Sequence, residues 1–233
     1  KNWGYTGEVM NDKIDILGLE IDNIIAKEAM KKVMDYIETE PVHVIEMITM
    51  GALGKFQGME DATEMFKSFD LALASDKGIL EAVGVTDERS LKEVQELLFV
   101  KMVMRYLHKN SVRTFLLANS QEDLHKLENY MQEDYANIQV IETATMEEHG
   151  ASDDMLLNLI NGAEATCVLS VLPSPMEEQF IYRNRALVNA RMWLGLGNLL
   201  DEMKQKKSSW RRAKDFLLRQ LWKKEIAKKG ENA

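Results

Sequence analysis

The chain has 233 residues, 45% of them hydrophobic, and a formal net charge of −9. This length and composition fit a globular protein with one sizeable core and exclude a disordered chain. The single cysteine, Cys167, lies in an apolar run and is expected to be a buried core residue, so no disulfide forms within the chain. A reducing, cytoplasmic compartment is expected. No apolar stretch approaches the roughly 20 residues of a membrane-spanning helix, and no signal peptide is evident.

Apolar runs of strand length alternate with longer segments of helical period, which is typical of a sheet covered by crossover helices. The predicted fold class is therefore α/β, with a Rossmann-like parallel sheet flanked by helices. The predicted strands cover residues 14–17, 42–48, 71–74, 112–117, 138–141, 165–171 and 190–194. The predicted helices cover residues 25–38, 59–66, 78–82, 88–109, 120–132, 152–161 and 177–189, followed by a late pair after Gly197 and Ser208.

Three segments of different character follow from this pattern. Residues 1–12 are expected to form a flexible N-terminal arm, and residues 13–203 the α/β domain. Residues 204–233 are expected to form a basic amphipathic helical appendage. Within the domain, apolar residues recur at helical spacing through residues 86–110, which predicts one long helix.

The charge of the chain is strongly segregated. Residues 204–229 carry a net charge of +9, so the remainder carries −18. Trp210, Ala213, Leu217 and Leu221 share one face of the predicted appendage helix, which would suit binding to an anionic membrane surface or packing on the domain. The predicted membrane-facing residues are Arg211, Arg212, Arg219 and Lys223. The acidic remainder argues against nucleic acid as a partner.

Sequence motifs for common catalytic and cofactor sites are missing. His43, His108, His125 and His149 share no ligand spacing, so a metal site is not expected. No GxGxxG follows a predicted strand, no GxxxxGK[ST] occurs, and no Ser-His-Asp grouping is evident. No cofactor is therefore expected.

Three polar loops follow predicted strands, at the edge where an open parallel sheet places its ligand crevice. The first loop, residues 48–52, contains Thr49 and Gly51. The second, residues 74–78, contains Ser75 and Asp76, and the third is residues 172–179. Each loop also fits a plain strand-end turn followed by a helix cap, and this alternative stays open from the residues alone.

The order of these segments resembles that of the WecG/TagA/CpsF glycosyltransferases over about residues 15–222. Residues 48–52 are similar to the threonine-leucine-asparagine-alanine loop of that family, and residues 69–74 to the strand before its aspartate-glycine loop. The remaining similar segments are residues 16–22 (opening strand and turn), 113–117 (strand before a glycine-rich turn), 174–181 (serine-proline-basic-glutamine-glutamate) and 195–201 (glycine-valine-glycine and a later aspartate).

The resemblance implies transfer of a sugar, typically N-acetylmannosamine, from a UDP-sugar donor to a polyprenyl-diphosphate-linked acceptor. It places this reaction at the inner face of the cell membrane, during synthesis of a cell-surface polysaccharide or teichoic acid. In the family an aspartate of the second loop is the general base; Ser75 holds that position here and Asp76 comes next. Asp76 and Thr49 are thus the predicted catalytic residues. The predicted substrate-binding residues are Gly51, Ser75, Ser174, Glu177, Glu178, Gly197 and Asp201.

Several positions depart from the family pattern. Gly51 replaces an asparagine, and Glu177, preceded by Met176 where the family has a basic residue, replaces a glutamine expected to contact the nucleotide. A charged Glu177 is expected to repel a diphosphate. A second interpretation is therefore a catalytically inactive relative that binds or regulates an active partner transferase. Its docking face would be the crevice or an exposed helix face, which would also suit a homo-oligomer.

Overall fold

The computed structural model describes residues 13–149 and 152–200. The predicted arm over residues 1–12 and the appendage over residues 204–233 lie outside these residues. So do Asp201 and the predicted membrane-facing residues, which are Arg211, Arg212, Arg219 and Lys223. These expectations, and the domain boundary at residue 203, stay predictions.

The predicted α/β class is confirmed by a sheet that has eight strands within the described residues. The strand order is β1-β2-β4-β3-β8-β7-β5-β6, and all neighbours are parallel except the antiparallel pair β1 and β2. The strands are β1 (Lys13–Ile16), β2 (Leu19–Asp22), β3 (His43–Ile48), β4 (Leu71–Ala74), β5 (Arg113–Ala118), β6 (Gln139–Thr145), β7 (Cys167–Val171) and β8 (Met192–Gly195).

Helices connect the parallel strands. They are α1 (Ala26–Tyr36), α2 (Met50–Phe56), α3 (Ala62–Lys67), α4 (Lys77–Ala82), α5 (Glu88–Gln95), α6 (Leu98–Lys109), α7 (Gln121–Asp134), α8 (Met146–His149), α9 (Asp153–Gly162) and α10 (Met176–Asn184). A short 3-10 turn, Arg185–Leu187, follows α10, so the helix predicted over residues 177–189 is shorter than expected.

The structure contains one strand, β2, that the sequence analysis did not predict. β1 and β2 form a hairpin whose two turn residues, Leu17 and Gly18, both have positive φ, 57° and 82°. Such a two-residue turn matches the twist of paired strands. β2 has only four residues and contains Glu20 and Asp22. It therefore lacks the apolar run by which the other strands were predicted.

The predicted single helix over residues 86–110 is wrong. Leu97 adopts a left-handed conformation with φ 53° and divides the segment into α5 and α6. The side chain of Leu97 is buried, so apolar contacts hold the residue in a conformation that leucine rarely adopts. The helical spacing of apolar residues continues across the break, which is why the pattern alone predicted one helix.

The two faces of the sheet are covered by different helices. α1 and α6 contact each other on one face, and α10 contacts α3 and α9 on the other. Successive side chains of β3 point to opposite faces of the sheet. Met47 lines a small cavity with residues of α1 and α5. Val44 and Ile48 instead belong to the core that includes Phe180 of α10. Cys167, as expected, is buried in β7.

Prediction from the fold: replacing Glu164 by glycine will stabilise the protein by about 0.5–1 kcal/mol, since this exposed residue follows α9 with φ 52°, a conformation that glycine adopts without strain. Urea unfolding measures the change. Glu28→Gly is the control, because Glu28 is exposed within α1 and the same replacement there should destabilise. A loss of stability in Glu164→Gly would contradict the left-handed turn.

Candidate functional site

The loops that follow four central strands meet at one edge of the sheet. β4, β3, β8 and β7 are adjacent and parallel, so their carboxyl ends point the same way. The amide and hydroxyl of Ser75 both donate to the carbonyl oxygen of Ile48 at 2.9 Å, which joins the ends of β3 and β4. The Lys55 ammonium donates to the Ser174 carbonyl at 2.7 Å and ties α2 to the β7–α10 loop. We call this edge the crevice.

The two predicted catalytic residues lie in the crevice, each at the start of a helix. Thr49 caps α2, its Oγ1 accepting a hydrogen bond from the Ala52 amide at 3.1 Å. Asp76 caps α4, with Oδ1 accepting from the Gly78 amide at 2.8 Å. Both side chains therefore have a structural role as helix caps, and both are half-buried at the carboxyl edge of the sheet.

Ser75, which holds the position of the family's general-base aspartate, is buried. Its side chain is 1% exposed, and its hydroxyl donates to the Ile48 carbonyl. Ser75 thus fastens two strands together, and Asp76 is the acid that this loop presents.

Two predicted glycine positions also lie at this edge. Gly51 is exposed in the first turn of α2, beside Met50, which is 43% exposed. Gly197 follows β8 with φ 49°, a left-handed conformation suited to glycine.

The acidic residues of α10 face inward. Glu177 and Glu178, in the first turn of α10, are 1% and 4% exposed, and Ser174 just before them is 9% exposed. The Glu177 Oε1 atom accepts a hydrogen bond from the Trp193 indole at 3.1 Å. Glu177, which the sequence placed beside the nucleotide, therefore lies beneath the crevice, against the sheet.

Sequence reasoning missed a third buried acid, Glu46. It lies in the middle of β3 and is 2% exposed. Glu46 is the register partner of Gly195 in β8, which in turn pairs with Ser170 in β7, so the three residues form one row across the sheet. A Cβ atom added at Gly195 would collide with the Glu46 carboxyl group, which shows that this carboxyl occupies the space above Gly195. The only sequence signal was one acid inside an apolar strand.

One family of known proteins matches most of the sequence. The model of the WecG/TagA/CpsF glycosyl transferase family matches residues 14–210. The chain belongs to this family. No curated protein matches the sequence. The family match covers all four crevice loops, and a glycosyltransferase of this family acts on a sugar donor and an acceptor.

Two further features of the described residues concern metal binding and membrane insertion. No group of three or more His, Cys, Asp or Glu side chains in residues 13–149 and 152–200 is placed to hold a metal ion. Over the same part of the chain, no helix has both the length and the apolar character required to cross a membrane.

Burial is the largest influence on the pKa values of Glu46, Glu177 and Glu178. It raises the pKa of Glu177 to about 8, with the neighbouring Glu178 adding to the rise and the Ser170 hydroxyl and Trp193 indole opposing it. Burial, followed by repulsion from Glu177 and Glu178, raises the pKa of Glu46 well above its ordinary value. The pKa of Glu178 is also raised by burial, which outweighs the opposing effects of Ser174 and Lys55. The transferase therefore holds carboxyl groups under its crevice that resist ionisation.

Prediction from the site: Gly195→Ala will lower the free energy of unfolding by about 1–3 kcal/mol, because the new methyl group overlaps the Glu46 carboxyl. In a Glu46→Ala background the same change should cost much less. Denaturant unfolding of the four proteins of this double-mutant cycle gives the coupling.

The matched control for this cycle is Gly54→Ala. An added Cβ at Gly54, a helical position of α2, would meet nothing within 4 Å, so this variant should be at least as stable as the parent. Equal costs of Gly195→Ala with and without Glu46 would show that the carboxyl does not occupy the space above Gly195.

Proposed function

We propose that the protein transfers an N-acetylmannosamine-like sugar from a UDP-sugar to a polyprenyl-diphosphate-linked acceptor in the synthesis of a cell-surface polysaccharide or teichoic acid. The observation that carries this proposal is the crevice itself. Thr49, Asp76 and the loop before α10 are held together at the carboxyl edge of the central strands, where open parallel sheets bind nucleotides. Family membership supports the same reaction class.

Asp76 acts as general base in this proposal. Its Oδ1 atom is fixed by the Gly78 amide, which orients the carboxylate, and the other oxygen is assigned to the acceptor hydroxyl. As the acceptor oxygen attacks the anomeric carbon, its proton passes to Asp76 and the bond between that carbon and the diphosphate oxygen breaks. UDP leaves with the bonding electron pair. The hydrogen-bond reach this requires is about 3 Å.

Thr49 is assigned to orienting the sugar. Because its oxygen already accepts from the Ala52 amide, the hydroxyl proton is directed away from that amide and can be donated to a sugar oxygen. The donor diphosphate is assigned to the neighbouring loop, residues 172–179, together with Gly197.

The membrane location rests on the sequence of the appendage. Its eleven basic residues in residues 204–229 would attract anionic lipid, each contributing on the order of 1 kcal/mol near the surface. This would bring the crevice to a lipid-linked acceptor at the inner face of the membrane.

A second candidate is supported by the position of Ser75. The residue at the family's general-base position is buried and hydrogen-bonded to Ile48, so it cannot remove a proton from an acceptor. If Asp76 does not take over this role, the chain is an inactive relative that binds or regulates an active partner transferase.

Prediction from the proposed function: UDP and one UDP-sugar will bind in calorimetric titration, and Asp76→Asn will lower the transfer rate about 10²–10⁴-fold while donor affinity stays unchanged. Asparagine caps helices as well as aspartate does, so the fold should be kept. The measurement is release of UDP on addition of a polyprenyl-diphosphate-linked acceptor.

Asp87→Asn is the matched control, because Asp87 caps α5 through the Ser90 amide at 2.8 Å just as Asp76 caps α4. It should transfer at the parent rate. Full activity of Asp76→Asn would exclude this residue as the base. Failure of every nucleotide to bind would instead favour the inactive, partner-binding relative.

A further inference from the structure

Three acidic side chains are buried beneath the crevice, where a negative charge is costly. Glu46 of β3 and Glu177 and Glu178 of α10 are each at most 4% exposed, and both acids of α10 repel Glu46 electrostatically. Ionising all three would bury three negative charges together, which costs several kcal/mol per uncompensated charge. We call these three residues the carboxyl cluster.

The groups around the carboxyl cluster supply little positive charge. Lys55 of α2 lies beside Glu178, but its ammonium already donates to the Ser174 carbonyl. β8 contributes the Trp193 indole, and β7 the Ser170 hydroxyl. In the two helices that contact α10, Lys67 of α3 pairs with Glu64 and Asp153 of α9 pairs with Arg183, while Asp154 of α9 is exposed and adds no positive charge.

Three oxygen atoms of the carboxyl cluster are buried without a hydrogen-bond partner among the residues that the structure describes: Glu46 Oε1, Glu177 Oε2 and Glu178 Oε2. Glu178 lies beside the Lys55 ammonium, which favours its ionised form, whereas no positive charge among the described residues acts in this way on Glu46 or Glu177. A buried carboxylate oxygen without a donor is costly, whereas a protonated carboxyl is neutral and itself a donor. Lys55 and the Trp193 indole cannot compensate three ionised carboxylates. Glu46 and Glu177 therefore hold at least one proton between them.

We propose that Glu46 and Glu177 hold a proton between them at neutral pH and that this proton allows the crevice to accept an anionic sugar donor. The inference rests on the proposed function, since it concerns the donor diphosphate. It also changes the expectation drawn from the sequence. An acid at position 177 is compatible with a nucleotide donor as long as it is uncharged.

The effect on pH dependence follows directly. The raised pKa of Glu177, about 8, means that the carboxyl cluster gains a negative charge as the pH rises past this value. Glu177 belongs to the segment assigned to the diphosphate, residues 172–179, so this charge repels a bound diphosphate through a medium of low dielectric. Since Glu46 and Glu177 interact, the titration belongs to the pair and not to either residue alone.

Prediction from the inference: in calorimetric titrations between pH 6.5 and 9.5, affinity for the best-binding UDP-sugar should fall above about pH 8, by up to about tenfold per pH unit for one linked proton. Glu177→Gln should weaken this dependence, and Glu46→Gln with Glu177→Gln should abolish it. Glu81→Gln is the control, because Glu81 is exposed in α4 and pairs only with Lys77 there. It should behave as the parent.

Infrared spectroscopy of the protein without donor separates the two claims. The carbonyl stretch of a protonated carboxylic acid should be present at pH 7, decrease as the pH rises above 8, and be absent from the double glutamine variant. Absence of this band at pH 7 overturns the inference, and so does parent affinity that stays constant from pH 6.5 to 9.5. A band that behaves as expected in a protein that binds no UDP-sugar supports the retained proton and rejects the proposed donor.

Discussion

A carboxyl group packed against a glycine is the constraint on which the centre of this structure depends. Glu46 of β3 places its carboxyl over Gly195 of β8, and any side chain at position 195 would collide with it. α10 then covers the row with two further acids, while Phe180 packs against Trp193 at 5.8 Å between ring centres. Three neighbouring strands and one helix are thereby fitted around a group of buried carboxyl side chains beside the apolar core.

The same packing positions the crevice. α10 begins directly after the loop that carries Ser174, and Lys55 fastens that loop to α2, whose first residue follows Thr49. Two members of the carboxyl cluster, Glu177 and Glu178, therefore belong to the segment assigned to the donor diphosphate, and their charge state affects that segment at short range. In this account a family fold for glycosyl transfer has kept its crevice, while the electrostatics beneath the crevice depend on retained protons.

Local patterns in the sequence predicted much of the fold and less of the site. Apolar runs located seven of the strands, and the helix predicted over residues 120–132 is present as α7, with Ser120 at its start accepting a hydrogen bond from the Asp123 amide. The break at Leu97 was missed because buried contacts, not a glycine, impose its left-handed backbone. Glu46 was missed because its environment comes from β8 and α10, far away in the chain, and a lone acid in an apolar run does not reveal such neighbours.

In the proposed function a nucleotide sugar binds in the crevice, next to the carboxyl cluster. Hydrogen–deuterium exchange at pH 7, with and without a saturating UDP-sugar, tests it most directly because amides report the position of the ligand. The account predicts slower exchange in the loops after β3, β4, β7 and β8, including the amides of Asp76 and Gly197, and unchanged exchange at the opposite edge near His43. Protection confined to that opposite edge, or no protection at all, would contradict it.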